Sequence, residues 1–135
     1  MRAFRIVVAA HGDLATGLVS AAQLICGQID DLAAVGLEPA DSPESFAERL
    51  GAAAPDTERP LLLLTDLVGG TPHNVAFALA RRRPSAVLIS GVNLAVLMEA
   101  ATSTDALGAD SQERLVALGR MALADAASLV ASRGK

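Results

Sequence analysis

Apolar and polar positions alternate along this chain in blocks, and the blocks change period. Phe4 to Ala10 is a short apolar run with β-branched residues, broken only by Arg5 near its start, that stops at His11-Gly12, the pattern of a strand covered on both faces. From Leu14 the apolar positions recur at Leu14, Leu18, Ala21 or Ala22, and Ile25, a helical stripe closed by Gly27 with Asp13 as candidate N-cap. Leu32 to Leu37 reads as a weaker strand containing a glycine. Asp41-Ser42-Pro43-Glu44-Ser45 then supplies a cap, an early proline and a first-turn acid for a second helix running through Phe46 and Leu50 to about Ala54.

The polar segment Pro55 to Pro60 separates this half from Leu61-Leu62-Leu63-Leu64-Thr65-Asp66, the most apolar segment of the chain and the predicted central strand. Gly69-Gly70-Thr71-Pro72 predicts a turn with Thr71 as cap and Pro72 at the first helical position, followed by a helix to Arg83 before Pro84. Ala86 to Ser90 reads as a fourth strand, Gly91-Val92-Asn93 as a turn and Leu94 to Ala101 as a fourth helix. Leu115, Leu118, Ala122, Ala126 and Leu129 predict one longer final helix. Strands separated by helices imply right-handed βαβ crossovers. The expected fold is α/β: an open, mainly parallel sheet of order 2-1-3-4 with helices on both faces, in one domain over residues 1–135.

Composition narrows the class. The chain has 135 residues, 52% of them hydrophobic, enough for one core. Mean hydropathy is +0.42, yet Gly, Asp or Arg interrupts every apolar run before the roughly 20 residues a bilayer requires. The start lacks the cleavage site of a signal peptide, so the expected location is cytoplasmic without membrane insertion. A net charge of -4 and 2% aromatic residues leave little from which to build a nucleic-acid surface. Cys26 stands alone, which excludes an internal disulfide and a multi-cysteine metal site; its position predicts a small core residue.

Only His11 and His73 carry imidazole. In an open α/β sheet the crevice lies at the carboxyl ends of adjacent strands whose helices leave to opposite faces. If the first and third strands are such neighbours, His11 and Asp66 meet there. His11 is then a base, a ligand or a nucleophile, or a polar residue that merely closes its strand. Asp66 either turns the following loop or accepts a hydrogen bond from one ring nitrogen, leaving the other free. Gly69, Gly70 and Thr71 offer backbone N–H groups, a hydroxyl and the positive end of a helix, which suit a phosphate or carboxylate, although Gly-Gly before a helix is also an ordinary tight turn. No Lys follows these glycines and no G-x-G-x-x-G follows the first strand, so a nucleotide P-loop and a nicotinamide or flavin cofactor are disfavoured and no cofactor is expected. A histidine nucleophile, an orienting acid and an anion cradle together fit transient histidine phosphorylation best. His73 reads as a first-turn residue or part of the rim, Asn93 as a turn or cap, and Arg81-Arg82-Arg83 as a solvated helix end or an acidic-partner patch.

Three blocks carry a family resemblance: His11-Gly12 with Leu14-Ala15-Thr16-Gly17-Leu18 and Gly27; Asp66-Leu67-Val68-Gly69-Gly70-Thr71-Pro72-His73-Asn74; and Ser90-Gly91-Val92-Asn93-Leu94-Ala95-Val96-Leu97. In this order they resemble the enzyme IIA domains of the mannose-family sugar phosphotransferase system, over nearly the whole chain to about Val130. The resemblance implies that His11 accepts a phosphoryl group from the phosphocarrier HPr and passes it to a histidine of a separate IIB component. It implies Asp66 as the orienting acid, Thr71 as a hydroxyl near the phosphoryl group, and a homodimer exchanging a last antiparallel edge strand. This chain departs in two places: no fifth strand is evident in Ser132-Arg133-Gly134-Lys135 after the last helix, and His73 stands where the family commonly has an apolar residue. A phosphoryl-donor subunit of a dihydroxyacetone kinase and a regulatory module that reports its phosphorylation state are the alternatives.

Overall fold

The computed structural model describes residues 2–133. Four strands and six helices follow one another as β1 (Arg5–His11), α1 (Leu14–Cys26), β2 (Leu32–Leu37), α2 (Pro43–Ala53), β3 (Leu61–Thr65), α3 (Thr71–Arg81), β4 (Ala86–Ser90), α4 (Leu94–Thr102), α5 (Ala109–Ala122) and α6 (Ala126–Arg133). The strands form one sheet of order β2-β1-β3-β4, with every pair parallel. Both the order and the sense are those expected from the sequence.

The two central strands are apolar on both sides because helices cover both faces. Ile6, Val8, Ala10, Leu62 and Leu64 pack with Ala15 and Ala22 of α1, Val96, Leu97 and Ala100 of α4, and Leu115 of α5. Val7, Ala9, Leu61 and Leu63 point the other way, onto Phe46 and Leu50 of α2 and Ala76 and Leu79 of α3. Strand alternation thus splits one hydrophobic run between two cores. Ser42 caps α2 as expected, in a reciprocal capping box with Ser45 and with Pro43 opening the helix.

Four expectations are corrected. The long C-terminal helix is two: the backbone is extended at Leu123 (φ -83°, ψ 107°), and Asp125 Oδ2 accepts from Ser128 N at 3.0 Å, starting α6 afresh. An aspartate that satisfies first-turn amides favours a helix start over a helix interior. Leu129 and Val130 of α6 are exposed, so the apolar period runs on past the surface the domain offers for packing. Residues 126–133 are helical, so an antiparallel edge strand has no counterpart among the described residues; Gly134 and Lys135, counted with that tail, lie outside them. Cys26 is exposed at the end of α1, since the buried stripe of that helix runs through Ala15 and Ala22 and the Leu14 and Ile25 edges face outward. Arg83 is not solvated but buried, where it donates to Ala54 O at the end of α2, while Arg81 and Arg82 are exposed. A cation at a helix carboxyl end meets both the carbonyl groups that lack a partner there and the negative dipole end.

Candidate functional site

The carboxyl ends of β1 and β3 lie side by side, Ala9 opposite Thr65, so the next residues of each strand share one mouth. His11 is the last residue of β1 and Asp66 the first beyond β3. Asp66 Oδ2 accepts from His11 N at 3.0 Å and lies 2.8 Å from His11 Nδ1, and its Oδ1 accepts from Leu67 N at 3.0 Å. The carboxylate side chain is 9% exposed and the imidazole 46% exposed. Burial raises the Asp66 pKa, but the His11 backbone N–H, the His11 ring and the Leu67 N–H outweigh it, and the carboxyl titrates below its ordinary value.

An ionised Asp66 can only accept, so Nδ1 is the ring nitrogen that carries hydrogen in this pair. In the neutral ring the lone pair is then on Nε2. Glycines shape the space around it. Gly12 has φ +56° and its N–H donates to Leu37 O at 2.9 Å, which turns the chain sharply behind the histidine. A Cβ at Gly36 would lie 2.2 Å from Gly12 O, so β2 and this turn approach as closely as backbones can. A Cβ at Gly70 would lie 2.8 Å from His11 Cε1 and 3.3 Å from Nε2: the loop before α3 rests against the Cε1–Nε2 edge of the ring.

The helix start differs from the expectation in one detail. Gly70, not Thr71, is the N-cap of α3, and Thr71 and Pro72 are its first two residues. The first intrahelical bond is Asn74 N to Gly70 O at 2.9 Å, so the Thr71 and His73 N–H groups precede the ladder, and Pro72 has none to offer. These donors, the Thr71 hydroxyl and the positive end of α3 lie in the segment that touches His11. Gly70 is therefore beside the His11–Asp66 pair, with Gly69 and Thr71 as its chain neighbours.

The remaining candidates sort themselves by their contacts. Asn93 caps α4, accepting from Val96 N at 2.9 Å, and donates to Gly119 O at 3.0 Å, which ties α4 to α5. Asp13 occupies the N-cap position of α1 without a capping side-chain bond; its carbonyl accepts from Thr16 Oγ1 and Gly17 N. His73 Nδ1 lies 3.3 Å from Thr65 Oγ1, a contact the sequence did not disclose. The signal for Gly36 was present, as a glycine inside a strand marks a close backbone approach.

Fold and site thus define an open α/β domain with a histidine–aspartate pair at the topological switch point and a helix amino terminus beside it. Comparison with known proteins gives this class its family. Residues 5–116 match the family EIIA-man, PTS system fructose IIA component, and the chain belongs to that family. The chain is 30% identical over 102 residues to the PTS system mannose-specific EIIAB component of Escherichia coli K12, covering 74% of this chain and 32% of that protein. It therefore spans about a third of the length of those EIIAB relatives. It is 31% identical over 107 residues to the sorbose-specific EIIA component of Klebsiella pneumoniae, covering 77% of each. The crystal structure of phosphotransferase system component EIIA from Streptococcus agalactiae superposes with a TM-score of 0.86 at 28% identity, over 93% of this chain and 98% of that one. The mannose/sorbose-specific IIA subunit from Enterococcus faecalis superposes with the same TM-score at 29% identity, over 93% and 95%. Among the described residues no helix is long and apolar enough to cross a membrane.

Proposed function

We propose that this chain is a cytoplasmic phosphocarrier domain whose His11 accepts a phosphoryl group from phosphorylated HPr and hands it to a histidine of a separate IIB component. The observation that carries this reading is the 2.8 Å approach of Asp66 Oδ2 to His11 Nδ1, which holds the hydrogen on Nδ1 and, in the neutral ring, leaves the lone pair on Nε2. The Nε2 lone pair attacks phosphorus in line as the donor's N–P bond breaks. The new N–P bond leaves the ring cationic, with Nδ1–H still bound to Asp66. The carboxylate stabilises that cation, and the donor imidazole leaves with its electron pair. The Thr71 and His73 N–H groups, the Thr71 hydroxyl and the α3 dipole act on the phosphoryl oxygens, as donors held in place beforehand. Transfer onward is the same step reversed, with the acceptor imidazole as nucleophile.

Such a carrier needs no metal and no nucleotide, because the phosphoryl group arrives already activated. Incubation with phosphoenolpyruvate, enzyme I and HPr should label the chain with an acid-labile, base-stable phosphate that His11→Ala abolishes. Normal labelling of that variant overturns the reading. Draining the label with purified IIB, against the kinase subunits of a dihydroxyacetone kinase, identifies the acceptor.

A further inference from the structure

The two histidines of this chain are joined through the end of β3, and we propose that His73 is a positioning residue for phosphoryl transfer at His11, acting through its hydrogen bond with Thr65. The inference rests on the phosphocarrier reading above. Thr65 is completely buried and closes β3, immediately before Asp66. Its carbonyl accepts from Gly91 N at 2.9 Å and Val92 N at 3.0 Å, which fixes the backbone to the turn after β4. By strand alternation its side chain falls on the face of Leu61 and Leu63, the α3 side of the sheet. A buried hydroxyl there needs a partner, and the side chain that meets it is His73 Nδ1 at 3.3 Å.

Both ends of this bond belong to the site. The Thr65 end carries Asp66, which holds His11 Nδ1. The His73 end is the third residue of α3, whose N-cap Gly70 rests against His11 Cε1 and Nε2. The bond thus sets the distance between the acid that orients the nucleophile and the amides that receive the phosphoryl oxygens. Phe77, one turn further along α3, stacks on the His73 ring with centroids 6.4 Å apart and planes 19° apart, holding the ring in its plane. The His73 side chain makes its hydrogen bond to Thr65, not to His11 or Asp66. Its effect passes through Thr65.

The test separates the bond from the bulk of the ring. His73→Phe keeps the ring and removes the nitrogen; His73→Asn places an amide atom where Nδ1 stands; Thr65→Val removes the hydroxyl; Thr65→Ser restores it. With phosphorylated HPr as donor, His73→Phe and Thr65→Val should each lower kcat for transfer to His11 by roughly three- to ten-fold with KM unchanged, the worth of one buried hydrogen bond. The double variant should be no slower than either single one, and His73→Asn and Thr65→Ser should retain most of the rate. The ring nitrogen shifts of His11, read by NMR without any phosphate donor, should move in His73→Phe and Thr65→Val and stay in place in His73→Asn.

Wild-type rates in His73→Phe, losses confined to KM, an Asn variant as slow as the Phe variant, or additive losses each overturn the proposal. Where a variant at 73 fails to fold, the Thr65→Val and Thr65→Ser pair decides in the same way. A wild-type chain that takes no label while its His11 shifts follow the stated pattern defeats the phosphocarrier reading and leaves the hydrogen-bonded positioning of the ring intact. Labelling at His11 with shifts that ignore residue 73 does the reverse.

Discussion

The sheet carries a charged cluster at each pole, and the two use their carboxylates in opposite ways. At the amino ends of the strands, Asp31 faces Arg59 at 2.8 Å through Oδ2 and Arg5 at 3.9 Å through Oδ1. Arg2 beside it binds the carbonyls of Phe4, Asp30, Asp31 and Ala101, clasping β1, β2 and the end of α4. At the carboxyl ends Asp66 meets one imidazole and two backbone amides and no guanidinium. Both carboxyls titrate below their ordinary value, Asp31 chiefly through the hydrogen bond from Arg59, Asp66 through His11 against the opposing effect of burial. A depressed carboxylate pKa is therefore shared by a clasp and a reactive site. What distinguishes the second is a partner that remains able to react: the imidazole offers one nitrogen to the acid and keeps the other, whereas a guanidinium is permanently protonated and has no lone pair to give.

The largest effect is expected at His11, the proposed nucleophile. His11→Ala should lose all acid-labile label in the phosphorylation assay and remain folded, because the side chain is half exposed and closes no core. Next is Gly70→Ala. Its φ of -80° suits alanine, so the new methyl strains only the His11 ring, 2.8 Å from it at Cε1. Displacing the nucleophile by even part of an ångström should slow transfer by about 100-fold with the fold retained, read by quenched-flow labelling.

Asp66→Asn should slow transfer by about 10- to 100-fold, since an amide neither stabilises the cationic ring nor enforces one tautomer. Its pH behaviour carries a sign. A carboxyl whose folded pKa is depressed stabilises the fold fully above the ordinary carboxylate range, and that contribution disappears as pH falls through the folded value. Melting temperatures taken from neutral pH downward should therefore fall less steeply in Asp66→Asn than in the parent. At the other pole, Arg59→Ala should lose at most about 1 kcal/mol in urea unfolding, as for partly exposed ion pairs, and leave transfer unchanged. A transfer defect in Arg59→Ala, or none in Asp66→Asn, breaks the contrast between the poles.

Sequence made the reactive pole unusually legible. Leu61 to Leu64 and Ile6 to Ala10 are apolar without interruption because each strand feeds two cores, and such runs announce central parallel strands. Once those strands are neighbours, His11 and Asp66 have to meet. Less was legible where residue type and environment part company. Arg83 looked like the end of a charged surface run, but its long side chain reaches back to Ala54 O, a contact set by how α2 and α3 end together. The period through Leu115 and Leu129 was real, yet Asp125 restarts the helix and Leu129 stays half exposed. Gly70 displaced Thr71 as the cap because the loop must pass against the His11 ring, a constraint from a residue far away in sequence.

The proposed selection, in which Asp66 holds one nitrogen of His11 and leaves the other to react, lies at the centre of the mechanism. It is tested most directly by NMR of the chain phosphorylated through HPr, using ring nitrogen–phosphorus coupling to assign the bonded atom. A single phosphoryl group is expected on Nε2 of His11, with Nδ1 still protonated. A phosphoryl group on Nδ1, or on any residue other than His11, would contradict it.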